Sequence, residues 1–334
     1  MSVLANKTNI IGRWLSGSSI GTLIARRLGL SVVLLFCTTL LIFAGVEALP
    51  GDFASTYLGQ SATPQAVANI RHDLGLDRSA GERYVAWLSG ITHGDLGTSW
   101  ANRNSVAEQL GKRLANSLFL AGVAGAIAIP LAILLGMICV LHRNRLTDRL
   151  IGVGALAAIS LPEFFVGYLM IQYFAVQLGW AIFPATVYDG MPFLQRLSVV
   201  ALPVATLVIV VLAHMMRMTR SAILNVMSAP YIETAELKGL SALRVIASHA
   251  APNAVAPIVT VVALNLAALI VGVVVVEVVF VYPGIGQYMV DAVTVRDMPV
   301  VQACGLVFAA IYIVLNTIAD IVSLLANPRL RHPR

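Results

Sequence analysis

The stretch Pro257 to Val281, PIVTVVALNLAALIVGVVVVEVVFV, carries one ionisable group, Glu277, and decides the fold class. About 20 predominantly apolar residues at 1.5 Å rise suffice for a helix to cross roughly 30 Å of hydrocarbon. Strands rarely sustain so long a run, so the stretch predicts a membrane-spanning helix. Five more stretches satisfy the same length rule: Leu28 to Leu49, Leu114 to Leu141, Leu150 to Leu178, Val199 to Met216 and Val300 to Ala326. The first exceeds the apolar core of a signal peptide, and Glu47-Ala48-Leu49-Pro50 is a poor cleavage context, so it is read as an uncleaved helix.

Composition agrees with these spans. Of 334 residues 58% are hydrophobic and 11% charged, against roughly 25% charged in soluble domains. That excludes a water-soluble globular protein, and so apolar a chain is not a disordered tail. The expected fold is all-α and polytopic, with six transmembrane helices.

The net charge of +6 is explained by topology and not by nucleic acid. With the N-terminus inside, Lys7, Arg13, Arg26, Arg27, Arg143, Arg145, Arg149, Arg217, Arg220, Lys238, Arg244, Arg329, Arg331 and Arg334 fall on the cytoplasmic side. Only Arg196 and Arg296 fall on short outer loops, and the remaining basic residues lie in residues 50–113, a loop too long for the charge rule. Both termini are expected to be cytoplasmic. Cys37, Cys139 and Cys304 stand apart within apolar runs, so neither a disulfide framework nor a metal site is expected.

The outer segment has helix signals of its own. Thr63-Pro64 precedes Val67, Ile70 and Leu74 in helical register, and Ser79 with Glu82 and Ser105 with Glu108 form capping-box patterns. The second pattern opens a helix running through Lys112 and Arg113 into the second span. The chain divides into a cytoplasmic segment 1–27, one transmembrane domain 28–326 and a tail 327–334, with the outer helical segment at 50–113 and a cytoplasmic loop at 217–252.

That loop is far longer than a reversal needs. Ser228-Ala229-Pro230 starts a helix that breaks at Gly239, and Ser241 caps a second helix, Ala242 to His249, which Pro252 closes. Two short helices meeting at a glycine predict a compact knob. Glu233, Ala235, Gly239 and Pro252 stand at the spacing of the EAA loop of ABC importer permeases, with Thr234, His249 and Ala251 departing from its pattern. Arg26 to Asp52, Gly94-Asp95-Leu96-Gly97-Thr98-Ser99, Ser160-Leu161-Pro162, Glu277 to Gly286 and Asn327-Pro328-Arg329 resemble the B-type permease subunits of dipeptide and oligopeptide importers.

This resemblance implies the type I importer permease fold and a non-catalytic translocation subunit of the inner membrane. It also implies partners: a second homologous permease subunit paired as a heterodimer, two cytoplasmic ATPase subunits, and an external solute-binding protein. Glu233, Thr234, Ala235, Gly239 and Pro252 would then form the ATPase coupling loop. The chain has no G-x-x-x-x-G-K-[ST] cradle, since Gly111-Lys112 is followed by Arg113 and lacks a glycine at Val106. ATP and Mg would be bound by the partners, and no cofactor is expected in this chain. Dipeptides or oligopeptides are the expected solutes, with nickel chelates, glutathione, opines or sugars as alternatives in the same group.

Ionisable groups within spans cost roughly 2.5 to 3.5 kcal/mol on insertion scales. Glu163, Glu277 and Asp320 are therefore candidates for the translocation pathway or a gate. Glu163 follows Pro162, where a kink can open toward water. Glu277, near the outer end of its span and within reach of headgroup or vestibule water, suits a gate or packing role. Tyr312, Asn316, Asp320 and Ser323 share one helix face, which suits an interhelical hydrogen-bond network. Small pairs such as Ala268 with Gly272 and Gly154 with Ala158 suit close helix packing. His214 with Met215, Met216 and Met218 is read as interface packing rather than a metal site. An ion-coupled carrier using the three carboxylates, or a membrane scaffold, are the rival classes.

Overall fold

The computed structural model describes residues 20–48, 51 and 53–326. The readings on Lys7, Arg13, Leu49, Pro50, Asp52, Asn327 to Arg329, Arg331 and Arg334 lie outside the described residues. Helix α1 (Ile20–Glu47) is followed by three short helices, α2 (Phe53–Leu58), α3 (Pro64–Asp73) and α4 (Ala80–Thr92). Their starts follow the side chains present: the Thr63 hydroxyl accepts the N–H of Ala66, and Ser79 and Glu82 cap reciprocally. Helix α5 (Val106–Leu141) has 36 residues and extends about 54 Å, longer than a bilayer core is thick. Its capping box is half formed. Ser105 accepts from the Glu108 N–H, but the Glu108 carboxylate turns instead to Lys112, 3.2 Å away.

The third apolar stretch is not one straight helix. Helices α6 (Leu146–Ser160) and α7 (Glu163–Met170), the latter running on through a π-helical turn at Ile171–Gln177, meet at 100°. The break itself is local: Leu161, preceding Pro162, takes an extended conformation (φ −91°, ψ 132°), because the proline ring disfavours a helical residue before it, while the angle is set by what α7 packs on.

Helix α8 (Phe193–Val199) leads into α9 (Ala201–Met227), which continues well past Met216, so the knob begins at Ser228 and not at Arg217. The polar residues there lie on a continuing helix and not in a loop. Thr219, Ala222 and Ile223 are buried on one face of α9, and tertiary packing keeps that turn helical. The knob holds α10 (Pro230–Leu237), α11 (Ala242–Val245), a π-helical turn Ile246–Ala250 and α12 (Ala251–Asn253). Pro252 therefore does not close the second helix, since the wider turn before it accommodates its missing N–H. The remaining helices are α13 (Val255–Phe280), α14 (Ile285–Val295) and α15 (Met298–Ala326).

Helices α1, α5, α9, α13 and α15 are long and apolar enough to cross a membrane, and the bent pair α6–α7 makes a sixth crossing if it is counted as one. Among the described residues there is no strand, only an isolated bridge between Thr98 and Ser105. At the centre α9 packs on α5, α13 and α6. Gly136 of α5 lies so close to Thr219 that a Cβ there would sit 2.9 Å from its methyl carbon, whereas Gly154, picked from sequence, has open space around it. Helix α1 lies at the edge of the bundle. It touches α15, with Ser31 and Thr317 hydroxyls 2.6 Å apart, and leaves Val32 and Leu41 exposed.

Candidate functional site

The knob is anchored from beneath. Ile232 and Ala235 of α10 are buried with Val245, Ile246 and Ala250, and this cluster joins Val140 of α5 and Ala222 and Ile223 of α9. The same helix turns its other face outward: Tyr231, Glu233, Thr234, Glu236, Lys238 and Gly239 are exposed, Leu237 is 82% exposed, and Leu243 of α11 is exposed beside them. The two faces of α10 therefore differ: one is buried in the bundle, and the other leaves Leu237, with Leu243 of α11, in solvent. Gly239 sits at φ +78° with its N–H donated to the Glu236 carbonyl at 2.8 Å. No atom lies within 4 Å of where its Cβ would be, so dihedral angle alone demands glycine within this chain. The first cap differs from expectation. Ala229 occupies the N-cap and Ser228 instead bonds back to the Asn225 carbonyl, while Ser241 caps by backbone position without a side-chain bond.

Glu163 opens α7 just beyond the break. Its two carboxylate oxygens would lie 2.8 and 2.9 Å from a Cβ on Gly272 of α13, so the glycine makes room for the carboxylate. One turn on, Gly167 lets α7 approach Val279 and Phe280 equally closely. The carboxylate is half-buried and has no hydrogen-bond partner among the described residues.

Glu277 has surroundings the sequence did not anticipate. Expected within reach of water, it is 0% exposed. It accepts the Ser117 hydroxyl at 2.5 Å, the Gly286 N–H at 2.7 Å and the Gln287 N–H at 3.4 Å. A buried carboxylate thus caps the N-terminus of α14, where both unpaired amides and the helix dipole favour an anion. Gly284 leaves no room for a side chain against that carboxylate. Beside it Tyr282 donates to the Asn116 carbonyl, Asn116 donates to the Pro283 carbonyl, and Arg196 donates to the Asn116 side chain while stacking 4.0 Å over Phe119. The group ties α5, α8, α13 and α14 into one block. Asn116 and Ser117 were missed from sequence; their signal was two adjacent polar residues near the start of an apolar span.

Asp320 pairs with Arg27 at 2.6 Å, joining the knob-side ends of α1 and α15. The face predicted with it is only partly interhelical: Asn316 bonds to the Tyr312 carbonyl on its own helix and Tyr312 is exposed, while the neighbouring Thr317 reaches α1. Two further groups were not anticipated. Asp297, 2% exposed, accepts from the Ser99 hydroxyl and the Trp100 and Ala101 N–H groups, pinning the Gly94-to-Ser99 motif to the start of α15. Asp148 holds Arg220 through two bonds of 2.9 and 2.8 Å, linking α6 to the helix that carries the knob. Met215 and Met216 are buried, Met216 against Cys139, and His214 is exposed.

A bundle of long apolar helices with one broken crossing, a fixed cap at one end and a rooted, exposed knob at the other is the build of a polytopic membrane protein. The chain belongs to the family described as binding-protein-dependent transport system inner membrane component, which matches residues 128–332, and the N-terminal region of such components matches residues 20–121. It is 36% identical over 332 residues to the di/tripeptide transport system permease protein DppB of Pseudomonas aeruginosa, covering 93% of this chain and 99% of that protein. A putative peptide transport system permease protein of Brucella abortus is 35% identical over 314 residues, covering 93% and 99%. The glutathione transport system permease protein GsiC of Escherichia coli K12 is 36% identical over 309 residues, covering 92% and 98%. The chain is a multi-pass permease component of the ABC importer type.

Proposed function

We propose that this permease carries dipeptides or oligopeptides inward across the inner membrane, with both its termini and its knob in the cytoplasm. In this reading residues 28–326 act as one transmembrane domain, paired with a second permease, two ATPase subunits that bind ATP and Mg, and an external solute-binding protein. Glu233, Thr234, Ala235, Gly239 and Pro252 belong to the segment that docks on the ATPase. The observation that carries the coupling role is the two-faced α10: Ile232 and Ala235 rooted on α5 and α9, Leu237 in solvent. Force applied to the exposed face passes through packed side chains into α9 and, by way of Asp148 and Arg220, into α6 and the break before Glu163. Glu163 is the carboxylate assigned to the path, since lipid offers it no partner. Glu277 and Asp320 hold helices in place.

The test is to reconstitute the complex with Gly239→Val and with Glu233→Gln. A β-branched residue is strained at positive φ, whereas an exposed ion pair contributes only about 0 to 1 kcal/mol. Gly239→Val should insert and pair with the second permease yet lose ATPase co-purification and solute-stimulated hydrolysis, and Glu233→Gln should be milder. Wild-type docking and coupling in Gly239→Val would remove this segment from the transmission route. Glutathione is the second reading of the solute, because a glutathione permease is as similar as the peptide permeases; competition between labelled dipeptide and glutathione in uptake separates the two.

A further inference from the structure

At the end of the bundle opposite the knob, the last turns of α1, the first turn of α15 and helices α2 to α4 enclose an open-sided cavity of about 670 Å³. That size is within the usual range of small-molecule sites, roughly 300 to 1,000 Å³. Its wall carries charges of both signs that the chain leaves unused. Arg83 is paired with Glu47 and Arg71 is also engaged, while the solvent-exposed Arg78 guanidinium and the exposed carboxylates of Asp73 and Asp77 line the cavity mouth without a partner among the described residues. Arg83 Nε and Trp87 Nε1 are buried behind this wall, closed off from the cavity space, so the groups open to a ligand are the exposed charges.

We propose that this cavity seats the headgroup of a zwitterionic phospholipid of the phosphoethanolamine type. Its phosphate is directed to the unpaired Arg78 guanidinium, a cationic donor that suits an oxyanion, and away from Glu47, which Arg83 already neutralises. Its ammonium is directed to Asp73 and Asp77, and an ammonium with N–H donors satisfies two carboxylates where a choline, having none, does not. Position selects lipid over a soluble zwitterion. The cavity lies where the spanning helix α1 ends and α15 begins, with Trp87 and Trp100 in its wall as in interfacial aromatic belts. Directly along α1 from it, Leu40 and Leu41 are exposed and offer an apolar track for acyl chains. It also lies on the α1–α15 flank, whereas Glu163 meets Gly272 at the α7–α13 crossing.

The test uses the full chain in its assembled transporter, incubated in mild detergent with phosphatidylethanolamine, phosphatidylcholine or phosphatidylglycerol and read by native mass spectrometry. One phosphatidylethanolamine per chain should be retained in preference to the other two. Arg78→Gln should lower that retention about tenfold. Asp73→Asn with Asp77→Asn should abolish the preference over phosphatidylcholine, and Val153→Ala, exposed on α6 away from the cavity, should bind as wild type does. Comparison of the three lipids on the wild-type complex requires no variant to fold. Equal retention of the three, or unchanged retention in Arg78→Gln, overturns the proposal. So does release of the lipid by a free dipeptide, which would make the cavity a solute site.

Discussion

Replacing Glu277 with alanine removes one acceptor that serves three donors. The Ser117 hydroxyl and the Gly286 N–H approach it at 2.5 and 2.7 Å, and the Gln287 N–H at 3.4 Å counts for little. The side chain is fully enclosed, and a single buried water entering the vacated polar space would restore part of the loss, which sets the lower end of the range. An orphaned buried donor costs about 1 to 3 kcal/mol, so two amount to roughly 2 to 6 kcal/mol. Loss of a negative charge at the start of α14 adds about 0.3 to 1 kcal/mol. Glutamine keeps one carbonyl oxygen for Gly286 but turns an NH2 toward Ser117, whose hydroxyl then lacks its acceptor, so Glu277→Gln should lose about 1 to 3 kcal/mol. Gly284→Ala should do similar harm from the other side, since its methyl group meets the same carboxylate. The assay is thermal inactivation of the purified complex together with hydrogen exchange at residues 285–288. Stability should fall from wild type through Glu277→Gln to Glu277→Ala, with exchange rising in α14 and unchanged in α10. If Glu277→Ala stayed within about 0.5 kcal/mol of wild type, the size of an inconsequential surface change, the capping argument would be refuted.

Three shorter predictions test other contacts. Asp148→Asn breaks a two-bond ion pair whose aspartate is 9% and arginine 32% exposed; discounted for that exposure, the loss should be about 1 to 3 kcal/mol, read as a lower melting temperature, and a double-mutant cycle with Arg220→Gln showing no coupling would reject it. Asp320→Ala removes a pair half open to solvent on both sides, so the loss should be about 0 to 1 kcal/mol, with assembled complex slightly reduced and transport per complex unchanged; normal abundance with transport abolished would place Asp320 on the solute path. In a Cys37, Cys139 and Cys304 triple-alanine background, an impermeant thiol reagent should label a cysteine at 103 or 190 from outside and one at 238 only after permeabilisation; outside labelling of 238 would invert the proposed topology.

Hydropathy and local chemistry alone marked the five unbroken crossings, the Ser79–Glu82 cap and the turn at Gly239, because each depends on residues a few positions apart and on the solvent they face. The knob was legible for the same reason, through its polar composition and its glycine. What lay beyond reach was every feature set by a distant partner. Helix α9 outruns its apolar stretch because Thr219, Ala222 and Ile223 find α5 and the knob to pack on. Leu150 to Leu178 reads as one span by hydropathy, and although Pro162 announced a kink, a 100° turn depends on where α7 finds room against Gly272 and the bulky pair Val279 and Phe280. Glu277 looked like a group near water because its distance from the end of the span is all that a linear reading measures. Its real surroundings are Ser117, 160 positions earlier, and the start of α14. Burial and pairing are properties of the space around a side chain, and in this protein the chain had to fold before that space existed.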